Sequence, residues 1–280
     1  MIDLHMHTIM SDGTDDEEEL IEKIKKNNIK IFSITDHDNI EACKKIQKNY
    51  ENLILKNNLK FINGIEFSTD FNGKSRHILA YNFDINNEII NALIKEGKEK
   101  RASRLDKRFK ALKEEFNIIF SEEEMKKLYS YNNLGKPQIA NLLIEKGYAK
   151  TIKEAIEKYL YHKFGSDKLS ASYVIEKINS AGAISILAHG LGGESEDSIS
   201  LEEFKEDIKE FVRFGVQGLE CYYSKYDASQ RELIKAEAKK YNLLLSGGSD
   251  YHGKNKAVKL GDVGKGYTAD IKDFTILNKI

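Results

Sequence analysis

The sequence predicts an α/β fold in which βα units surround a parallel sheet or barrel, interrupted by a helical insertion. Short apolar runs recur along the chain and are typical of strands that are buried on both faces. Segments with helical spacing separate these runs. In addition, the stretch from residue 88 to 168 shows helical patterns without a convincing strand.

The elements follow in chain order from these patterns. Apolar runs predict strands at Ile2–Leu4, Ile29–Ile34, Leu59–Ile65, His77–Phe83, Ala183–Ala188, Val216–Tyr222 and Leu243–Leu245. Apolar stripes predict helices around Leu20, Ile21 and Ile24, around Val174, Ile175 and Ile178, and around Phe204, Ile208, Phe211 and Val212. Residues 12–14 predict a turn and a cap before the first helix. The middle block predicts helices at Asn91–Glu115, Ser121–Ser130, Lys136–Lys146 and Thr151–Tyr161. We therefore expect barrel residues 1–87, an insertion at 88–168 over the active-site face, and barrel residues 169–280.

Composition excludes several classes of protein. The 44 basic and 45 acidic residues nearly cancel, so no global field favours nucleic acid or a membrane surface. The two cysteines, Cys43 and Cys221, are too few for a disulfide framework and suit a reducing compartment. Without a signal peptide or a long apolar span, we expect a cytoplasmic protein with no membrane association and no obligate protein partner.

Histidines mark the predicted strand ends. Of the seven histidines, six lie at or just after an apolar run: His5, His7, His37, His77, His189 and His252. The carboxylates Asp12, Asp36, Asp38, Glu66 and Asp250 have similar positions. In a βα barrel, strand ends converge on the face that carries the active site. Several imidazoles at that face indicate a metal site.

The spacing of these residues strengthens the metal interpretation. His5 and His7, like Asp250 and His252, are two residues apart, so in extended backbone both side chains of a pair point to one side. Taken singly, each residue has an ordinary alternative, such as a helix cap or a hydrogen-bonded loop residue. Together they predict two or three divalent ions, with manganese preferred and iron or zinc as alternatives.

Four motifs resemble the PHP (polymerase and histidinol phosphatase) family. They are Asp3–Thr8 with Ser11–Gly13, Thr35–Asp38, Ala188–His189 and Gly248–His252, and Glu66 and His77 complete the set. The resemblance implies a distorted (β/α)7 TIM-like barrel with a trinuclear site. It assigns one ion to His5, His7, Glu66 and Asp250, a second to Asp12, His37 and His252, and a third to His77 and His189 with Glu66 as the bridge. His37, His189, Asp250 and His252 are the expected catalytic residues.

The predicted phosphate contacts lie in the insertion. Arg101 and Arg104 are on one helix whose segment 95–113 carries nine basic and three acidic residues. Arginine suits phosphate because its planar fork donates two hydrogen bonds; a solvated helix face is the alternative. Lys136 corresponds to a family arginine. Three other positions depart from the family pattern: Gln138 and Tyr226 stand where histidine is expected, and Gly190 stands where proline is expected.

The motifs together predict a metal-dependent phosphoesterase that uses a metal-activated hydroxide. The helical insertion and the segment Leu219–Ser224 further resemble the branch of 3′,5′-nucleoside bisphosphate phosphatases and 5′→3′ exoribonucleases. The expected substrate is therefore a phosphate monoester of a small nucleotide, or the end of a short RNA. The alternatives are a histidinol-phosphate or other small-molecule phosphatase and, from another class, a metal-binding module without turnover.

Overall fold

A computed structural model describes residues 1–129, 134–162, 166, 168–193, 199–265 and 267–280. The chain divides into two compact units. The barrel unit comprises Met1–Lys95 and Leu169–Ile280, and the helical unit comprises Glu96–Lys168. The first division thus falls after residue 95, where the sequence suggested residue 87. The placement of the insertion over the active-site face stays a prediction.

The described residues of the barrel unit form an eight-stranded sheet. Its strands are β1 (Ile2–Asp3), β2 (Ile31–Ile34), β3 (Lys60–Phe71), β4 (Lys74–Tyr81), β5 (Leu169–Ser170), β6 (Ile184–Leu187), β7 (Gly218–Tyr223) and β8 (Leu244–Gly248). The strand order is β1-β2-β3-β4-β6-β7-β8, and the short β5 pairs with β3. Every predicted apolar run overlaps a strand, and β5 is the strand that the patterns missed.

The two ends of this sheet meet beside β1 and β8. The Leu4 N–H donates to the Gly247 carbonyl at 3.2 Å, and the Asp250 N–H donates to the His5 carbonyl at 2.8 Å. Gly248 permits this approach, because a Cβ at that position would lie 2.3 Å from the His5 nitrogen. The sheet is therefore a nearly closed, distorted TIM-like barrel, as predicted.

One strand departs from the expected parallel arrangement. β4 runs antiparallel to both β3 and β6. Asn72 and Gly73, with φ of 52° and 81°, connect β3 to β4 in a two-residue turn. Asn-Gly favours such a turn because both residues accept positive φ. His77 consequently lies inside an antiparallel strand, three residues after its first residue, Lys74, whereas the sequence patterns placed His77 at the start of the strand.

The helices have the following bounds: α1 (Glu17–Lys26), α2 (Glu41–Lys45), α3 (Glu51–Lys56), α4 (Glu88–Phe116), α5 (Glu122–Tyr129), α6 (Lys136–Glu145), α7 (Ile152–Tyr159), α8 (Ala171–Ser180), α9 (Leu201–Arg213) and α10 (Ala228–Tyr241). A π-helical turn at Ile46–Tyr50 joins α2 to α3. Residue 130, at the end of one predicted helix, lies outside the described residues. The cap predicted for α1 at residues 12–14 is wrong, because Asp16 caps this helix by accepting from the Glu19 N–H.

Each unit has its own hydrophobic core. The predicted stripe of α1 is fully buried at Leu20, Ile21 and Ile24. In the helical unit, Leu112 and Leu143 belong to a separate buried cluster. Within the part of the chain that the structure describes, every helix is too short or too polar to cross a bilayer.

Candidate metal centre

The loops and strands of the barrel unit bring the nine predicted metal ligands together. His5, His7 and Asp12 come from the segment after β1, His37 follows β2, Glu66 lies in β3, His77 lies in β4, His189 follows β6, and Asp250 and His252 follow β8. We call these nine residues the donor cluster. Their donor atoms include three overlapping groups in which all atoms lie within 4.8 Å of one another: His7 with Asp12, His37 and His252; His5 with His7, Glu66 and Asp250; and His37 with Glu66 and His77.

Glu66 occupies the centre of the donor cluster. Its Oε2 lies 3.1 Å from the Nε2 atoms of both His5 and His7. Its Oε1 lies 3.0 Å from His77 Nδ1 and 3.0 Å from His189 Nε2. Each carboxylate oxygen therefore faces a different set of imidazoles, an arrangement that suits a carboxylate shared by two cations.

The spacing of the donors fits coordination to shared cations. Two ligand atoms that each lie about 2.1 Å from one cation are about 3.0–3.4 Å apart at tetrahedral or octahedral angles. The observed separations lie close to this range: His252 Nε2 is 3.2 Å from Asp12 Oδ1, and His7 Nε2 is 3.4 Å from Asp250 Oδ1. The mixture of imidazole and carboxylate suits manganese, iron or zinc.

Three imidazole nitrogens give independent support for cation binding. Within the described residues, His7 Nε2, His37 Nδ1 and His252 Nε2 are buried and have no hydrogen bond of acceptable geometry. A buried polar atom without a partner is costly, and native proteins seldom retain one without a reason. Cations bound at these nitrogens would satisfy all three.

The site loops are held by further carboxylates. Asp36 accepts hydrogen bonds from the Thr8 N–H at 2.7 Å and from the Ser11 hydroxyl at 2.6 Å. This fixes the loop that presents Asp12 to the donor cluster. Asp36 is therefore a supporting residue of the loop, and it does not belong to the nine donors. Gly13 permits the tight loop, because a Cβ there would lie 2.4 Å from the His7 carbonyl oxygen.

Neighbouring groups also orient individual donors. His252 Nδ1 lies 2.8 Å from the Asp250 carbonyl oxygen, so its N–H donates there and Nε2 faces the cluster. The outer oxygen of Asp250, Oδ2, accepts from Lys256 at 2.7 Å and from the Tyr223 hydroxyl at 3.1 Å. Outer contacts of this kind fix the orientation of metal ligands in many sites. The sequence patterns gave neither Tyr223 nor Lys256 a role at the site, since neither contact with Asp250 follows from a recognisable spacing.

The pKa values of two imidazoles in the donor cluster are shifted in opposite directions, although both rings lie close to Glu66. Burial raises the pKa of Glu66, but His37, His5 and His77 outweigh this and hold the pKa well below its usual range. Burial lowers the pKa of His5, yet Glu220, Glu66 and Asp250 raise it well above the usual value. For His37, burial dominates and holds the pKa well below the usual value. Such contrasts between neighbouring groups are typical of functional sites.

Two donors lie in an uncommon backbone conformation. Asp250 has a φ of 58° and His189 a φ of 26°, both in the left-handed region that non-glycine residues seldom adopt. Such residues persist where the surrounding structure compensates for their cost, and they cluster at functional sites.

The predicted phosphate-binding residues belong to the helical unit. Arg101 and Arg104 are half-buried on α4, whereas Arg108 on the same helix is 5% exposed. Lys136 begins α6. Gln138 closes the start of this helix, because its side-chain oxygen accepts from the Gly135 N–H at 3.0 Å. The glutamine thus has a capping role at the position where the family pattern has histidine.

The other two departures from the family pattern also have a structural basis. The hydroxyl of buried Tyr226 accepts from the Leu191 N–H at 3.0 Å and so holds the loop that follows His189. At Gly190, a Cβ would lie 2.8 Å from the Phe204 ring. This position therefore has little room for a larger residue.

Comparisons with known proteins agree on the family of this chain. Residues 3–176 match the model of the PHP domain. The chain is 27% identical to a 5′-3′ exoribonuclease of Haemophilus influenzae, with 92% of each chain covered. It is 23% identical to a 3′,5′-nucleoside bisphosphate phosphatase of Chromobacterium violaceum, with 96% of this chain and 92% of the relative covered. A crystal structure of a candidate metal-dependent phosphoesterase from Bifidobacterium adolescentis shares the fold, with a TM-score of 0.72, 24% identity, and coverage of 99% of this chain and 94% of the other.

Proposed function

The chain belongs to the PHP domain family of metal-dependent phosphoesterases, and we propose that it hydrolyses small phosphorylated nucleotides, such as 3′,5′-bisphosphates, or the ends of short RNA. The observation that carries this proposal is the donor cluster, in which side chains from six separate segments of the chain converge. Relatives named as an exoribonuclease and as a bisphosphate phosphatase support a nucleotide substrate.

In this proposal the nine residues of the donor cluster hold two or three divalent ions, with Glu66 shared between them. Bound divalent ions would supply Lewis acidity, which acidifies water to near neutral pKa and neutralises charge on a phosphoryl group. Lys256 and Tyr223 keep the Oδ2 atom of Asp250 engaged, so that its Oδ1 atom is directed at the imidazoles.

Substrate binding requires positive charge in addition to the ions. We propose that Arg101, Arg104 and Lys136 contact phosphate oxygens. Segment 95–113 supports this role, because its nine basic and three acidic residues make a positive stretch in a chain whose formal net charge is −1. The nearly neutral chain argues for small nucleotides over long nucleic acid.

A direct comparison of substrates tests this assignment. Manganese-loaded protein is assayed with a nucleoside 3′,5′-bisphosphate, a short 5′-phosphorylated RNA and histidinol phosphate, and released phosphate or mononucleotide is measured. We expect kcat/KM for a nucleotide substrate to exceed that for histidinol phosphate by at least about tenfold, since a hydrogen-bonded or charge-paired second group contributes about 1.4 kcal/mol or more.

Two outcomes would overturn the assignment in different ways. A preference for histidinol phosphate, or equal rates, would move the protein to the small-molecule phosphatases. Metal binding without turnover of any phosphoester would favour a metal-binding module, although the full donor cluster argues against that function.

A further inference from the structure

Glu220 is a buried carboxylate in the middle of β7, between the apolar neighbours Leu219 and Cys221. It is 1% exposed and is not one of the nine predicted donors. A charged side chain in an apolar strand is costly unless both of its oxygens have partners. The packing of β7 therefore does not explain why a glutamate occupies this buried position.

Both oxygens of Glu220 contact donor-cluster residues. Oε1 lies 2.8 Å from His5 Nδ1, and Oε2 accepts from the backbone N–H of His189 at 2.8 Å. A carboxylate accepts hydrogen bonds and does not donate them, so His5 Nδ1 must carry the proton. The Nε2 atom of His5 is then the nitrogen available to a cation, and it faces Glu66 Oε2 at 3.1 Å.

The second contact concerns the backbone of His189. Its φ of 26° lies in the left-handed region, and its Nε2 atom must stay 3.0 Å from Glu66 Oε1 to belong to the donor cluster. A charge-assisted hydrogen bond to the His189 N–H stabilises this turn. The Glu220 side chain thus contacts two donors, His5 and His189, that are separated by 184 residues in the sequence.

We propose that Glu220 is a positioning residue that fixes the tautomer of the His5 ring and the backbone conformation of His189 together. This inference rests on the proposed metal-dependent function. Outer hydrogen-bond partners of metal ligands typically change metal affinity by about 10–100-fold when they are replaced. Glu220 would act on two ligands at once.

The test is Glu220→Gln, which keeps the shape and removes the second acceptor. If the glutamine oxygen accepts from the His189 N–H, its NH₂ group faces His5 Nδ1 and drives the ring proton to Nε2. If the amide is reversed, the His189 N–H loses its acceptor. We expect the affinity for zinc, measured by chelator competition, to fall by about 10–100-fold. In ¹⁵N NMR of the zinc-loaded protein, the hydrogen-bonded Nδ1–H signal of His5 should be lost or shifted.

Glu237→Gln is the matched control, because Glu237 is a 7% exposed carboxylate on α10 whose partner is Lys240. This variant should keep the parental zinc affinity. Parental zinc affinity and an unchanged His5 signal in Glu220→Gln would overturn the proposal, even if the variant melted at a lower temperature.

The parent protein gives a second test that needs no variant: a His5 ring protonated on Nε2 in the zinc-loaded state would also overturn the proposal. Neither readout requires phosphoester turnover. A protein without phosphoesterase activity would therefore refute the proposed substrate, whereas the role of Glu220 would still be decided by the zinc affinity and the His5 signal.

Discussion

The donor cluster of the barrel unit and a surface ion pair of the helical unit show two contrasting environments for charged residues. In the barrel unit, His5 and Glu66 are 0% and 1% exposed and lie among further imidazoles and carboxylates. In the helical unit, Lys127 and Glu145 form an ion pair whose side chains are 52% and 55% exposed. Exposed pairs contribute little to stability, whereas buried charges are costly unless other groups compensate. The difference indicates that the donor cluster retains its buried charges for chemistry, and that an exposed pair such as Lys127 and Glu145 can vary with little loss of stability.

Replacing a donor of the barrel unit should reduce activity more than any other single substitution considered for the two units. His37→Ala removes a ring whose Nδ1 atom is buried and lies 3.4 Å from Glu66 Oε2. We expect kcat to fall by about a thousandfold or more, because the variant lacks an interaction that the reaction needs in its transition state. The measurement is steady-state phosphate release with saturating manganese.

The control for His37→Ala is His162→Ala, the histidine of the helical unit, which pairs with Glu115 at 2.6 Å. This variant should keep kcat within about twofold of the parent, because the partly exposed pair lies outside the donor cluster and ion pairs near the surface contribute at most about 1 kcal/mol to stability. An equal loss of kcat in His37→Ala and His162→Ala would contradict the conclusion that activity depends on the donor cluster and not on the ion pair of the helical unit.

We expect a smaller effect on activity from a substitution in the helical unit. Arg101→Ala removes one cation that we propose binds substrate phosphate, and it leaves the identity of all nine donor-cluster residues unchanged. We expect KM to rise by about tenfold while kcat stays within about twofold, the pattern of lost binding that is equal in ground and transition states. Kinetics on the preferred nucleotide provide the measurement.

Lys107→Ala provides a matched control on α4, because Lys107 is an exposed cation six residues from Arg101 and therefore points to a different side of the helix. Its KM should stay close to that of the parent. A collapse of kcat in Arg101→Ala, or an equal rise of KM in both variants, would contradict the assigned role.

Much of the fold and most of the donor cluster could be predicted from the sequence, for identifiable physical reasons. Buried strands produce apolar runs, and strand ends converge, so histidines after those runs pointed to a common site. The β3–β4 hairpin was missed although Asn72-Gly73 is a strong turn signal, because the apolar runs alone do not reveal strand direction. Glu220 was missed as a functional residue because its role depends on pairing with His5 across the barrel.

Other contacts could not be predicted from the sequence because they depend on the conformations of individual side chains and loops. Arg108 shares a helical face with Arg101 by spacing, yet it is buried at 5% exposure. Lys256 follows a short 3₁₀ turn at Gly253–Asn255, and its contact with Asp250 depends on how that turn returns to the cluster. Neither periodicity nor composition carries this information.

The most direct test of the metal cluster is an anomalous-diffraction experiment on crystals of manganese-loaded protein. We expect two or three peaks, each bounded by nitrogen and oxygen atoms of the donor cluster, with one peak on either side of the Glu66 carboxylate. Absence of anomalous signal at these side chains after reconstitution, or peaks confined to other parts of the molecule, would contradict the account.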